Sequence, residues 1–345
     1  MMKKLYFIRA NQSKHGGAEI YLSRLANELK KRSVSYDIIH ASLPKILPSW
    51  LRVLLFNRKV CHHKNGHFYF SLERISCPDI YRAGDGVHKV FMQIEKKSKI
   101  NPLHTVYLYL ERRAFQNASR IIAISNMVKQ DIIDSYGIEA QKIEVVYNGI
   151  TLEKYNKNAS FQKLEQAFSL DKNEKIILYV GSGFKRKGVE AFLTILSKVT
   201  YSNYKAFVIG KEKKMDFYKH LADRLGIGEK VIFTGVRSDV NDFYTIADIF
   251  LFPTRYEPFG NVILEAMNFS NVVITTKSCG GGEILDQDFI MDSADDFSVA
   301  GKIDELLEDE VKLQAAKERN LDIVKNFTIE KNVEKTLKVI DEVIH

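Results

Sequence analysis

The chain reads as an α/β protein of two Rossmann-like domains, and three observations carry that expectation. Short apolar runs alternate with amphipathic helical stretches along its length, the pattern of repeated βαβ units and parallel sheets. Its 345 residues are many for one domain and comfortable for two, each able to bury its own core. Hydrophobic residues make up 45% and charged residues 27%, an ordinary globular composition rather than a disordered or fibrous one.

In the first half, strands are read at Leu5–Arg9, Tyr36–His40, Ile80–Ala83, Ile121–Ile124 and Ile143–Val146. In the second half they fall at Ile176–Val180, Ala206–Ile209, Val231–Thr234, Ile249–Leu251 and Val272–Thr275. Each of these second-half runs leads through a turn signal into a helix-period segment. The stretch Asn156–Asn173 is polar and unpatterned and reads as a linker, which sets the domains at 1–155 and 174–327. The last segment, 328–345, opens on Thr328 as an N-cap and places Val333, Leu337, Ile340 and Ile344 at helical spacing. It is expected to be a helix that packs back on the N-terminal domain.

No apolar run approaches the roughly 20 residues a spanning helix needs. The start, Met1–Arg9, is too short for a signal-peptide core and reads as a first strand. Cys61, Cys77 and Cys279 are odd in number and lack metal or redox spacing, so a reducing cytoplasm is the expected compartment.

Charge is unevenly shared. The net is +8, yet residues 1–150 hold 24 Lys+Arg against 12 Asp+Glu and the remainder holds 27 against 31. A basic half joined to a mildly acidic half implies an anionic partner, either nucleic acid or a membrane surface. No nucleic-acid recognition motif is found. Lys89, Lys96, Lys97, Lys99, Arg112 and Arg113 are interleaved with Phe91, Ile94, Tyr107 and Tyr109. That mixture fits an interfacial surface that docks on anionic lipid; the plainer alternative is the solvated basic face of a core helix.

The chemistry concentrates in Glu257-Pro-Phe-Gly-Asn-Val-Ile-Leu-Glu265. Asn261–Phe269 reads as a helix after a loop with Pro258 and Gly260, which puts Glu257 in the loop and Glu265 two turns into the helix. The backbone N–H groups of Phe259, Gly260 and Asn261 at the helix start suit an anion such as a diphosphate. One carboxylate is then free for sugar hydroxyls and the other for a ribose. The plain alternative is a solvated loop before an ordinary helix.

A second element, Gly181-Ser-Gly-Phe-Lys-Arg-Lys-Gly188, follows a strand directly. Gly183 permits close backbone approach, and Arg186 and Lys187 can neutralise a diphosphate leaving group, unless this is merely a basic surface turn. A third, His15-Gly16-Gly17-Ala18-Glu19, supplies a tight turn between the first strand and the first helix and is weak by itself. Asp85, in Tyr81-Arg-Ala-Gly-Asp-Gly86, lies where a parallel sheet opens to ligands and is the candidate for orienting an attacking hydroxyl. A structural aspartate in a glycine turn is nearly as natural there. Asp286-Gln-Asp288 tempts toward a metal, but it sits in a polar loop and no metal is expected.

The Glu257–Glu265 segment resembles the E-x7-E motif of the family 4 retaining glycosyltransferases, which have the GT-B fold. The wider run Val231-Ile-Phe-Thr-Gly-Val-Arg-Ser-Asp-Val240 and Ala247-Asp-Ile-Phe-Leu-Phe-Pro-Thr254 is similar to that family's donor domain. The resemblance implies two domains facing an interdomain cleft, with Glu257 on the donor sugar and Glu265 on the ribose hydroxyls. It further implies that Gly16, Gly17, Gly183, Arg237, Phe259, Gly260, Asn261 and Val262 line the donor. Asp85, Glu257, Arg186 and Lys187 then form the catalytic set. Ser182 stands where the commoner family pattern has an arginine. Arg186-Lys187-Gly188 and Asp85 instead resemble the lipopolysaccharide-core glucosyltransferases within the family.

That subgroup implies transfer of glucose from a UDP-sugar, with retention, to a lipopolysaccharide core or similar membrane glycolipid. The enzyme would work at the cytoplasmic face of a bacterial inner membrane, with no cofactor beyond the nucleotide sugar. A capsule or lipid-linked oligosaccharide acceptor is the nearer alternative. A catalytically silent, membrane-bound partner in a glycan-assembly complex is the more distant one.

Overall fold

The structure, a computed structural model, describes residues 4–10, 17–41, 43–44, 46–98 and 100–344, with backbone alone at 17, 18 and 20. The chain divides into two units, Met1–Gly149 with Ile329–His345, and Ile150–Thr328.

In the first unit, β1 (Leu5–Ile8), β2 (Tyr36–Ile39), β3 (Phe68–Ser71), β4 (Ile80–Ala83), β5 (Arg120–Ala123) and β6 (Ile143–Val145) pair in the order β2-β1-β3-β4-β5-β6. Every pairing is parallel. The crossovers carry α1 (Gly17–Lys31), α2 (Ser49–His62), α3 (His88–Ile94), α4 (Pro102–Asn117) and α5 (Asn126–Tyr136). A parallel sheet is covered on both faces, so its strands are nearly uniform apolar runs; Phe7, Phe70, Ile80, Ile121 and Ile122 are all fully buried.

The second unit repeats the plan. Strands β7 (Lys175–Val180), β8 (Tyr204–Ile209), β9 (Val231–Gly235), β10 (Ile249–Phe252), β11 (Val272–Thr276) and β12 (Ile290–Met291) pair in the order β12-β11-β10-β7-β8-β9, again parallel. Its helices are α6 (Lys157–Phe168), α7 (Val189–Leu196), α8 (Met215–Arg224), α9 (Val240–Ile246), α10 (Asn261–Asn268), α11 (Val299–Glu308) and α12 (Glu310–Val324). The last helix, α13 (Ile329–Ile344), belongs to the first unit. There Ile329, Val333, Val339 and Ile340 join Leu22, Leu25 and Leu29 of α1 in one core.

Three readings are corrected. The stretch 156–173 is not a linker: α6 occupies it, capped by Asn156, whose side chain accepts from the Ala159 N–H at 3.1 Å. Only Ser160 and Leu164 are buried, Ser160 bonding Asp242, while the half-buried Phe168 packs edge-on against Phe207 and Phe243, so the helix is too thinly apolar to read by period. The unit boundary consequently falls at 149/150. Strand β3, three aromatic residues and Ser71 that are all buried, shows no alternation, and β12 is only two residues long, so neither was read as a strand. Cys61 at the end of α2 and Cys77 after β3 are joined as a disulfide, Cα–Cα 5.7 Å, a pairing that a 16-residue separation does not announce.

Candidate active site

Both parallel sheets present loops at the C-terminal ends of their strands, where α/β proteins build sites. In the second unit, the loop after β7 is fixed from three sides. Gly181 N donates to Ile209 O at 2.9 Å, and Lys211 N donates to Ser182 Oγ at 3.0 Å. Glu212 accepts from the Phe184 N–H at 3.2 Å. Gly188, at φ +78°, closes the loop; a Cβ there would lie 1.8 Å from the Pro253 carbonyl oxygen, so only glycine fits. Arg255 N completes the seam, donating to Arg186 O at 2.9 Å.

This stitching brings Arg186 and Lys187 to Glu257. Arg186 Nη1 and Lys187 Nζ each lie 3.2 Å from the same carboxylate oxygen, Glu257 Oε2. All three side chains are largely but not wholly covered. Glu257 is itself held by backbone bonds, its N–H to Ser278 O at 2.9 Å and its carbonyl from Gly280 N at 2.9 Å. Gly281 N donates to Phe259 O at 2.8 Å, and a Cβ at 281 would press to 2.5 Å of that oxygen. Behind the loop, burial and the nearby Glu257 charge push the Cys279 thiol up to about 12, which leaves it inert.

Gly260, at φ +82°, turns the chain into α10 and places no side-chain cap on it. Asn261 and Val262 are half-buried in the first turn, and Glu265 follows one turn later, receiving the Tyr244 hydroxyl at 3.4 Å. Phe259, by contrast, is buried in the core, so only its backbone can serve a ligand. Gly183 is exposed at φ +78° on the loop rim. Arg237 does not join this group. Its guanidinium holds Asp239 with two bonds, 2.8 and 2.7 Å, and lies over the Phe168 and Phe243 rings. Asp286 caps a short turn and pairs with Arg319.

In the first unit, Gly16 and Lys99 lie outside the described residues, while Gly17 opens α1. Asp85 follows β4 and is 59% exposed, with Arg74 Nη1 at 3.9 Å from its Oδ2. Sequence reasoning missed what holds that arginine. Glu111, fully buried in α4, accepts from Arg74 Nε at 3.0 Å, Tyr136 OH at 2.7 Å, and the His88 and Lys89 N–H groups at 2.7 and 3.2 Å. A buried carboxylate with four donors is fully satisfied. Its only signal in the sequence was an acidic residue beside two arginines, which reads as a surface pair.

The basic surface divides. Lys89 turns inward to donate to Ser135 O at 2.9 Å, near the C-terminal end of α5. Lys96, Lys97, Arg112 and Arg113 are exposed, together with Ile94, Ile100 and Tyr109. Lys97 pairs loosely with Glu95 at 3.6 Å, and Arg113 sits over Tyr109 at 5.7 Å. Among the described residues no helix is long and apolar enough to cross a membrane.

The family models for glycosyl transferases group 1 and glycosyltransferase family 4 match residues 160–326 and 13–154. Among curated proteins, the chain is 28% identical over 212 residues to the lipopolysaccharide glucosyltransferase WaaG of Escherichia coli K12, covering 59% of this chain and 56% of that one. It is 35% identical over 219 residues to the capsular polysaccharide biosynthesis glycosyltransferase CapM of Staphylococcus aureus, covering 59% and 56%. The alignments thus span little more than half the length of these relatives. The crystal structure of WaaG superposes with a TM-score of 0.78 at 21% identity, covering 97% of this chain and 99% of that one. Anabaena HepE in complex with UDP and glucose superposes at 0.74 and 19% identity, covering 99% and 100%. With one glycosyltransferase model matching each unit and two parallel sheets of the GT-B architecture seen in WaaG, the chain is a GT-B glycosyltransferase.

Proposed function

We propose that the chain transfers a sugar, most simply glucose from UDP-glucose, to a hydroxyl of a membrane glycolipid of the lipopolysaccharide-core or capsule kind. The single observation that carries this reading is the convergence of Arg186 and Lys187 on Glu257 Oε2, one glycine turn before the N-terminus of α10. Two cations and a helix N-terminus favour a diphosphate, while the carboxylate accepts from sugar hydroxyls. Glu265 takes the ribose. The names of relatives support the details: WaaG is a lipopolysaccharide glucosyltransferase, and HepE is seen with UDP and glucose.

In the reaction, the acceptor oxygen bonds to the anomeric carbon as the bond from that carbon to the β-phosphate oxygen breaks. The nucleoside diphosphate leaves on the same face, taking the acceptor proton on a phosphate oxygen, so configuration is retained and no strong protein base is needed. Arg186, Lys187 and the first amides of α10 stabilise the departing charge, each such donor being worth about 3 kcal/mol. Asp85 orients the acceptor hydroxyl. No metal is required. The enzyme lies on the cytoplasmic face of an anionic membrane, held by Lys96, Lys97, Arg112 and Arg113 with the exposed Ile94, Ile100 and Tyr109.

A thermal-shift screen of UDP, GDP, ADP and CMP sugars tests the reading, because a bound donor stabilises the native state by mass action. UDP-glucose is expected to give the largest rise, unaffected by EDTA. Glu257→Ala, Arg186→Ala and Lys187→Ala should each lower transfer about 100-fold or more with an unchanged circular dichroism spectrum. Full turnover in all three, or no rise with any nucleotide sugar, would leave a catalytically silent scaffold as the better description.

A further inference from the structure

Arg82, the third residue of β4, is 4% exposed. An arginine is rarely so buried without a carboxylate, because a charge withdrawn from water must be compensated. Among the described residues Arg82 pairs with no carboxylate. Its hydrogen bond runs from Nη2 to Asn148 Oδ1 at 2.6 Å, and its Cζ lies 3.6 Å from the centre of the Tyr21 ring. The acids of this sheet mouth are committed elsewhere. Arg9 holds Glu19 and Glu73, each at 2.9 Å, and Arg74 holds Glu111 at 3.0 Å. The neutral Tyr21 side chain favours the guanidinium, its hydroxyl included, Asp85 attracts it from a largely solvated position, and Arg9 repels it. Burial is the largest influence, and the guanidinium is held below its ordinary basicity.

The surroundings are built around this group. Gly84 N donates to Arg82 O at 2.9 Å in a tight turn, and a Cβ at Gly84 would lie 2.3 Å from Arg82 Nη1. The glycine therefore leaves the space that the guanidinium edge occupies. Tyr21 is braced by Thr336 Oγ1 of α13 at 3.4 Å, and Asn332 of the same helix donates to the Tyr147 carbonyl at 2.6 Å, next to Asn148.

We infer that Arg82 anchors an oxyanion subsite at the sheet mouth of the first unit, beside Asp85, fitted to a phosphate or carboxylate group on the acceptor. A planar guanidinium presents paired N–H donors that match either oxyanion, and an incoming negative charge supplies the compensation the fold withholds. Calling the ligand an acceptor rests on the transferase reading above; the oxyanion site does not.

The test follows the thermal midpoint of wild type and Arg82→Met with inorganic phosphate, with acetate, and with UDP. Wild type is expected to gain a phosphate-dependent rise, or an acetate-dependent one if the natural group is a carboxylate. Arg82→Met should lose that rise and keep the UDP-dependent one. Without ligand, Arg82→Met should melt at or above wild type, since removing an uncompensated buried charge relieves a penalty. Arg82→Lys, which keeps the charge and loses the fork, should retain only part of the anion response.

Two outcomes overturn the inference. One is an anion-dependent rise of equal size in Arg82→Met, which puts the anion elsewhere, the Arg186–Lys187 loop included. The other is an Arg82→Met midpoint well below wild type with no anion response in the parent, which makes Arg82 a strut between β4, the segment after β6 and α1. Should Arg82→Met fail to fold, Gly84→Ala carries the same comparison by displacing Nη1 while keeping the charge. A missing UDP response in both proteins sinks the transferase reading and leaves the anion arms to decide Arg82.

Discussion

Arg186, Lys187 and Glu257 are each legible in the sequence because they sit in short local motifs beside strands, whereas the convergence of the two cations on one Glu257 oxygen shows only in the fold. Glycines at 188, 260 and 281 are where the sequence speaks most plainly, since positive φ or a carbonyl at contact distance admits nothing larger. The groups that could not be read are those whose meaning is purely tertiary. Arg74, Glu111, Tyr136 and Arg82 come from a loop and three different elements, and only folding shows which of them pair. His88 is of the same kind. It is buried against Phe91 and Tyr107, with Nε2 at 3.0 Å from His104 Nδ1 and with Arg74 and Glu111 facing it. Burial first, then Arg74, pushes its imidazole from an ordinary 6.5 down to about 4. The folded protein therefore keeps His88 neutral across a range where the unfolded chain protonates it. Stability should be fully present above pH 6.5, fall as pH drops toward 4, and level off below, with a total loss of ~3 kcal/mol. Urea midpoints at pH 7.5 and 4.5 measure this, and His88→Asn should flatten the difference.

Among elements, strands that lie between two helical layers announce themselves as apolar runs, and ten of them were placed to within a residue or two from that signal. The elements that escaped have weak periodicity for physical reasons. Strand β3 ends on a serine and follows His67 and Gly66 without a clear apolar run of aliphatic residues, and β12 is only two residues long. Helix α6 buries a stripe one residue wide, so its polar face dominates the composition. Helix α13 is the opposite case: its apolar positions recur every three or four residues and enter the core of the first unit. Val333 is fully buried there against α1. Val333→Ala should lower the stability of the first unit by about 1–3 kcal/mol, from lost transfer free energy and the cavity left behind. A fall in the urea midpoint of that unit, with the second unit's transition unmoved, is the expected result. Equal shifts in both transitions would mean that α13 is not specific to the first.

At the scale of the whole molecule, the excess of cations in the first half is visible on the surface, but it is not uniform. Lys89 is consumed by an internal carbonyl, while Lys96, Arg112 and Arg113 remain exposed beside Ile100, which is 90% exposed. Each cation near an anionic bilayer contributes on the order of 1 kcal/mol. The triple change Lys96→Ala, Arg112→Ala, Arg113→Ala should therefore weaken binding to vesicles containing phosphatidylglycerol by about 100-fold at low salt, with little binding to neutral vesicles in either case. Vesicle co-sedimentation measures it; undiminished binding by the triple variant moves the membrane surface elsewhere.

The return of α13 to the first unit orders events during synthesis. Residues 150–328 form a continuous stretch, whereas the first unit draws its closing helix from 329–345. A ribosome releases the middle of the polypeptide before that helix exists, so the second unit can close its sheet while Leu22, Leu25 and Leu29 still lack their cover. The nascent chain thus matures from the inside of its sequence outward, and its earliest-made half is the last to become resistant to protease.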